Sequence, residues 1–235
     1  MLQIKNLSKK FVSKTILHDI SCEIPTGTIG VFLGSSGTGK STLLRIIAGL
    51  QDRDTGTLLL NDNPLQSSDV GMVFQHFNLF ENLTVLGNIT FGLCKGRTRM
   101  PLAQAQTVAY DLLERYGLKE FATKFPDELS GGQKQRLAIL RTIAQKPAII
   151  CFDEPTSALD PLLKQYVARA LMDLSRLGYT IIIATHDIQL VEQLPCTIFL
   201  MHAGAIIQST SSIEFMKHPD NFPEIKKFMY HQSEM

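Results

Sequence analysis

A glycine-rich loop between an apolar run and a helix-forming run constrains the fold of this chain more than any other feature. Residues 30–33 are Gly-Val-Phe-Leu, which predicts a buried strand, and residues 41–50 predict the helix that follows. Between them, residues 34–41 are Gly-Ser-Ser-Gly-Thr-Gly-Lys-Ser, the pattern of a phosphate-binding loop. A strand, a glycine loop and a helix in this order predict an α/β core with the loop at one edge of a sheet.

The residue types in this loop are suited to the phosphates of a nucleotide. Glycines let the backbone amides converge on phosphate oxygens at a helix N-terminus, where the helix dipole also favours an anion. Lys40 is predicted to meet the β- and γ-phosphates, and the Ser41 hydroxyl to ligate Mg²⁺. A glycine-rich turn with a solvated lysine is the alternative. The predicted nucleotide-binding residues here are Gly34, Ser35, Ser36, Gly37, Thr38, Gly39, Lys40, Ser41 and Thr42.

A pair of acidic residues ends a second apolar run, residues 149–152. Asp153 at the end of a buried strand can hold Mg²⁺ directly or through water. Glu154 follows at once and is placed to polarise an attacking water. Taken alone, the pair could simply begin a loop. Beside a glycine loop, it predicts chemistry on a phosphate.

The rest of the chain predicts one α/β domain with an insertion. Residues 1–30 have short alternating runs typical of antiparallel strands, and helical spacing of apolar residues begins near residue 88. After Pro147, strands again alternate with helices, which predicts a mainly parallel sheet. We therefore expect a single domain, 1–235, in which 1–87 and 146–235 form the core with an N-terminal antiparallel region and 88–145 form an inserted α-helical subdomain.

Charge and hydropathy argue against a nucleic-acid-binding protein, with a local basic patch as the alternative, and against a membrane-spanning one. A formal net charge of +1 argues against a nucleic-acid partner held by phosphate attraction. No apolar run approaches the ~20 residues that span a bilayer. Residues 1–10 alternate polar and apolar residues and lack the apolar core of a signal peptide. We expect a cytoplasmic protein that would need other chains to cross the membrane if it acts in transport.

Five motifs follow one another in a fixed order along the chain. The glycine loop is followed by Leu-Ser-Gly-Gly-Gln at 129–133, the pair Asp153 and Glu154, Ser-Ala-Leu-Asp at 157–160, and Thr-His at 185–186. This set resembles the ATP-binding subunits of ABC transporters, and the resemblance covers nearly the whole chain. It implies a P-loop NTPase core that hydrolyses ATP with Mg²⁺, and two copies that pair head to tail around two ATP molecules.

The resemblance also implies the residues of the hydrolytic site. Glu154 is expected to be the catalytic base and His186 to contact the γ-phosphate, although a lone histidine at a strand end is often structural. Gln75 is expected to reach toward Mg²⁺ and the attacking water, with a polar loop residue as the alternative. The expected metal ligands are Ser41, Gln75 and Asp153.

Further residues are expected to contact nucleotide from the adenine side or from the partner subunit. Phe11 is expected to precede the first pair of strands. It resembles the aromatic residue that stacks on adenine, with packing in the core as the alternative. Asp160 is expected to act across the dimer interface and can also cap its helix. Ser-x-x-Gln is a helix capping box, and the resemblance adds that this surface closes over the partner's ATP. Its residues are Ser130, Gly131, Gly132 and Gln133.

One stretch of the chain is similar to the polar amino-acid branch of ABC importers. It consists of Phe-Gln-His-Phe-Asn-Leu-Phe at 74–80, with residues 83–86 and 88–89. Their apolar side chains would form a groove for a short helix of the membrane subunit, or belong in part to the core. The resemblance implies a motor subunit on the cytoplasmic face of the inner or plasma membrane, with permease subunits and a substrate-binding protein. The alternatives are another ABC system, for lipoprotein release or export, or a soluble ABC ATPase outside transport.

Overall fold

The computed structural model describes residues 1–12, 14–96, 99–157 and 161–231. These residues form the strands β1 (Leu2–Phe11), β2 (Lys14–Ile24), β3 (Ile29–Leu33), β4 (Thr55–Leu60), β5 (Asn63–Pro64), β6 (Val70–Val73), β7 (Ile149–Asp153), β8 (Thr180–Thr185), β9 (Cys196–His202) and β10 (Ala205–Ser211). Their helices are α1 (Lys40–Ile47), α2 (Val85–Lys95), α3 (Leu102–Arg115), α4 (Gly131–Ile143), α5 (Pro161–Arg176), α6 (Ile188–Glu192), α7 (Ser212–Lys217) and α8 (Pro223–His231). Across the described ranges, none of these helices has the length and apolar character needed to cross a membrane.

Six strands form the main sheet in the order β10-β9-β3-β8-β7-β6. Every neighbouring pair in it is parallel except β9 with the edge strand β10. Leu33 pairs with Thr185, and Val73 pairs with Phe152. Because the carboxyl ends of parallel strands meet at one edge, the loops after β3, β8, β7 and β6 emerge side by side. The predicted α/β fold with a mainly parallel sheet is confirmed.

The N-terminal strands form a second, antiparallel sheet in the order β2-β1-β4-β5, as the alternating pattern predicts. The expectation that Phe11 precedes the first strand pair is wrong. Phe11 is the last residue of β1 and pairs with Lys14, because the ladder between β1 and β2 continues through several register shifts to the end of the strand.

Two apolar cores cover the two faces of the main sheet. Ile149 and Cys151 of β7 face a core shared with α1 and the antiparallel sheet. Ile150 and Phe152 face a core shared with α2, α3, α4 and α5. Successive side chains of a strand point to opposite faces. Since both faces are covered, the strand that ends in the acidic pair is apolar along its buried length.

The chain between β6 and β7 contains α2, α3 and α4, and α2 packs on both α3 and α4. Helix α2 begins at Val85, ahead of residue 88, because the Thr84 hydroxyl accepts a hydrogen bond from the Gly87 N–H at 3.0 Å and caps the helix. The division of the chain into core and helical subdomain near residues 88 and 145 stays a prediction.

Candidate active site

The glycine loop joins β3 to α1 at the carboxyl edge of the main sheet. A Cβ atom on Gly34 would collide with the Met201 carbonyl oxygen. Gly39 is the N-cap of α1 with a φ of 97°, and a Cβ there would lie 2.9 Å from the Ile16 carbonyl oxygen. Side chains at these two positions would therefore displace backbone. The first amides of α1 are left facing the loop, where a phosphate would be held.

Lys40 points into the loop and is buried. Its Nζ donates hydrogen bonds to the carbonyl oxygens of Gly34, at 2.6 Å, and Ser35, at 2.9 Å. It lies 3.9 Å from Oε1 of Glu154. Burial lowers the pKa of Lys40, and the nearby carboxylates of Glu154 and Asp153 oppose that shift. The ammonium group is thus already placed between the loop and the acidic pair.

The hydroxyl of Ser41 donates a hydrogen bond of 2.7 Å to Oδ1 of buried Asp153. A hydroxyl and a carboxylate in contact are oxygen ligands of the kind that Mg²⁺ prefers. No group of three or more His, Cys, Asp or Glu suited to a metal occurs among the residues that the structure describes. The pair therefore fits an ion that is also held by phosphate oxygens and water, as Mg²⁺ usually is.

The carboxylate of Glu154 is held by the neighbouring strand β8. Its Oε2 accepts a hydrogen bond from the Thr185 hydroxyl at 3.1 Å, and its Oε1 lies 3.0 Å from Nδ1 of His186. Its N–H donates to the Ala184 carbonyl at 2.8 Å. The residue has a φ of 48°, a left-handed conformation that costs energy for a non-glycine residue. The surroundings thus fix both the backbone and the carboxylate of the predicted base.

Contacts of Asp187 connect the chain after β8 with α5, and the sequence motifs assign these contacts no role. Asp187 accepts a hydrogen bond from the Thr156 hydroxyl at 2.7 Å and an ion pair from Lys164 at 2.8 Å, and it caps α6. Burial alone would raise the pKa of Asp187, but the hydrogen bonds from Lys164 and Thr156 outweigh it and hold the pKa low. Sequence reasoning missed Asp187, and the signal that could have found it is its position directly after His186.

The capping box of α4 forms as predicted but stands apart from the loop within one chain. Ser130 accepts from the Gln133 N–H at 3.4 Å, and the Gln133 side chain accepts from the Ser130 N–H at 2.8 Å. Gly131 is exposed, and a Cβ on it would meet nothing within 4 Å among the residues that the structure describes. In the described part of the chain, no hydrogen bond or ion pair joins residues 130–133 to the glycine loop.

The structure describes two of the remaining predicted site residues, Gln75 and Phe11, and both are exposed. Gln75 is exposed, two positions beyond Val73 of β6, on the same edge of the sheet as Glu154. Phe11 is 46% exposed, and Nζ of Lys9 lies 5.5 Å from its ring centroid. Asp160 lies outside the described residues.

One buried side chain of α4 that the motifs did not single out reaches the active-site edge. The Nε2 of Gln135 donates a hydrogen bond of 3.0 Å to the carbonyl of Pro155, directly after Glu154. Gln135 is 5% exposed. Helix α4 is therefore joined to the loop that carries the predicted base.

The fold and the edge residues together define a P-loop ATPase. Comparison with known proteins agrees: residues 17–157 match the family model described as ABC transporter. The glutamine transport ATP-binding protein GlnQ of Escherichia coli is 39% identical, covering 99% of this chain and 100% of that protein. The glutamate transport ATP-binding protein GluA of Corynebacterium efficiens is 40% identical over 93% of this chain and 94% of its own.

Solved structures give the same result. The ATP-binding cassette MJ0796, in a dimeric post-hydrolysis state bound to ADP and phosphate, superposes with a TM-score of 0.79 at 31% identity, covering 90% of this chain and 99% of its own. The chain belongs to the ABC transporter family. It is an ATP-binding subunit and an ATPase, as the motifs predicted, and its resemblance to the amino-acid branch is confirmed by the relatives.

The position of Lys40 leads to a first prediction. Replacing it with alanine, Lys40→Ala, should weaken ATP binding about 10- to 100-fold, because a hydrogen bond to a charged group contributes about 1.5–3 kcal/mol. Isothermal titration with ATP measures the change. The exposed Lys119→Ala is the matched control and should bind ATP as the unchanged protein does. Equal affinity in the two variants would remove Lys40 from the phosphate site.

Proposed function

We propose that this chain is the ATP-driven motor of an importer for polar amino acids, acting with separate permease subunits and a substrate-binding protein at the cytoplasmic face of the membrane. The amino-acid class rests on full-length similarity to ATP-binding proteins whose names specify glutamine, glutamate and L-cystine transport. The motor assignment rests on one observation above others: Lys40, Ser41, Asp153, Glu154 and His186 meet at one sheet edge through hydrogen bonds and close ion pairs.

The residues of the edge have distinct roles in this proposal: His186 contacts the γ-phosphate, and Gln75 reaches toward both Mg²⁺ and the attacking water. Lys40 binds the β- and γ-phosphates, and Ser41, Asp153 and Gln75 hold Mg²⁺. The metal ion, when bound, neutralises charge that develops on the phosphate oxygens. Glu154 accepts the proton of the attacking water. The hydrogen bonds from Thr185 and His186 to its carboxylate support this role, because a base must be oriented toward the proton that it takes.

The site is completed by a second copy of the chain. Gly131 is the first residue of α4, and across the described ranges no contact at its Cβ position requires glycine there. The exposed amides at the N-terminus of α4 suit a phosphate brought by another molecule. We infer that residues 130–133 and Asp160 of one copy act on ATP held by the loop of the other, with Phe11 stacking on adenine.

A groove beside Gln75 is the proposed contact with the permease. It encloses about 480 Å³, and the surface that lines it is mainly apolar. Phe80 and Phe91, on its wall, are 39% and 44% exposed, with ring centroids 4.9 Å apart. Exposed aromatic rings rimmed by polar groups are typical of a protein contact. A short permease helix seated there would lie next to the loop that carries Gln75.

Capture from membranes tests this function. Tagged Glu154→Gln protein, incubated with Mg-ATP and detergent-solubilised membranes, should retain a small polytopic permease that can be identified by mass spectrometry. Uptake of labelled glutamine, glutamate and cystine in cells with and without that permease then tests the amino-acid class. Capture of an exporter or a lipoprotein-release subunit would overturn import, and capture of ribosomes without a membrane protein would overturn transport.

A further inference from the structure

The loop that follows Gln75 has a backbone conformation that must be held by its surroundings. Phe77 and Asn78 have φ values of 60° and 46°, in the left-handed region. For a bulky residue such as phenylalanine this conformation is rare, because its Cβ crowds the neighbouring backbone. The Phe77 N–H also donates to the Phe74 carbonyl at 3.0 Å, closing a turn around Gln75. The placement of Gln75 therefore depends on whatever holds Phe77 and Asn78.

A single side chain binds both strained residues. The guanidinium of Arg141 donates to the Asn78 carbonyl at 2.6 Å through Nη1, and to the Phe77 carbonyl at 3.1 Å through Nη2. The same group lies 5.4 Å from the ring centroid of Phe80. Arginine is suited to this because its planar, rigid fork can serve two acceptors and stack on an aromatic ring at once.

Arg141 belongs to α4, which is fixed at a second point of the active-site edge. Gln135 of the same helix donates to the Pro155 carbonyl, directly after Glu154. The N-terminus of α4 carries residues 130–133. One helix thus contacts the loop after Gln75, contacts the loop after Glu154, and presents the glycines proposed to meet the partner's ATP.

We propose that Arg141 is a positioning residue for hydrolysis, which sets the distance of Gln75 from the Glu154 carboxylate by fixing the turn between Phe74 and Phe77 to α4. The inference rests on the proposed role of Gln75. Stacking of Arg141 on Phe80 extends the same link to the groove wall. A movement of the groove wall or of α4 therefore moves Gln75, without any contact between Arg141 and nucleotide.

Steady-state hydrolysis by the isolated protein tests this positioning role. Arg141→Lys keeps the charge but loses the two-pronged fork, so kcat should fall about ten- to a hundredfold. The KM for Mg-ATP should stay unchanged, and the melting temperature should fall only slightly because the lost hydrogen bonds contribute to stability. Arg115→Lys is the matched control, since Arg115 is an exposed arginine of α3 that pairs with Asp111 one turn away. The control variant should keep the kcat of the unchanged protein.

A double-mutant cycle with Gln75→Ala decides whether Arg141 acts through Gln75. If it does, Arg141→Lys should change the kcat of Gln75→Ala by no more than about twofold. Three results would each overturn the inference. They are losses of kcat that multiply in the double variant, an unchanged kcat in Arg141→Lys, and a parallel loss of ATP binding and thermal stability. None of these results bears on the permease capture, so failure here and failure of the proposed import function are separate outcomes.

Discussion

Glu154→Gln is expected to bind ATP and to lose hydrolysis. A general base contributes about 10²- to 10⁴-fold to a rate, so phosphate release should fall by that factor. The amide has the shape of the carboxylate and can still accept from the Thr185 hydroxyl, so the fold should persist. Removing the negative charge 3.9 Å from Nζ of Lys40 also reduces repulsion of the nucleotide phosphates. ATP should therefore bind at least as tightly.

The same variant should accumulate as a dimer with ATP, because closure on nucleotide is no longer followed by hydrolysis. Light scattering after gel filtration, with Mg-ATP and with Mg-ADP, measures this. Glu120→Gln, an exposed residue outside the sheet edge, is the control and should hydrolyse ATP normally. Normal turnover by Glu154→Gln would exclude Glu154 as the base.

The sequence alone predicts those parts of the site that are determined by the order of strands and loops along the chain. The glycine loop follows β3, Asp153 is the last residue of β7 and Glu154 comes directly after it, and parallel strands bring their carboxyl ends to one edge. Their meeting could be predicted without coordinates. The hydrogen bond between Ser41 and Asp153 joins residues far apart in the chain, yet it follows from that rule.

The contacts that the sequence did not predict depend on how helices pack on the sheet. Arg141 and Gln135 lie on a helix whose apolar spacing indicates which face is buried, but not which loop carbonyl a polar side chain meets. The ion pair of Lys164 with Asp187 likewise depends on how α5 packs beside α6. The error over Phe11 has a related cause, since a strand end depends on pairing with a second strand. Predicting such contacts requires the tertiary structure.

Gly131→Asp should abolish hydrolysis while leaving the fold intact. A Cβ at this exposed position would meet nothing within 4 Å in the described part of its own chain. An acidic residue in the first turn of α4 interacts favourably with the helix dipole, by about 0.3–1 kcal/mol, so the melting temperature should hold or rise slightly. If the N-terminus of α4 closes on the partner's ATP, the carboxylate repels the γ-phosphate there. We expect phosphate release to fall more than about 100-fold, which costs about 2.7 kcal/mol of transition-state binding.

Mixing two inactive variants separates a site shared between chains from a site within one chain. In a head-to-tail dimer, Gly131→Asp protein supplies an intact Glu154, and Glu154→Gln protein supplies an intact Gly131. Each mixed dimer then has one complete site. When the two proteins are mixed before ATP is added, pairing is random and half of the dimers are mixed. Since each mixed dimer uses one of two sites, an equal mixture should recover about a quarter of the full activity. Without recovery, the proposed shared site fails. Recovery cannot come from either chain alone, since each lacks a group that its own sites require.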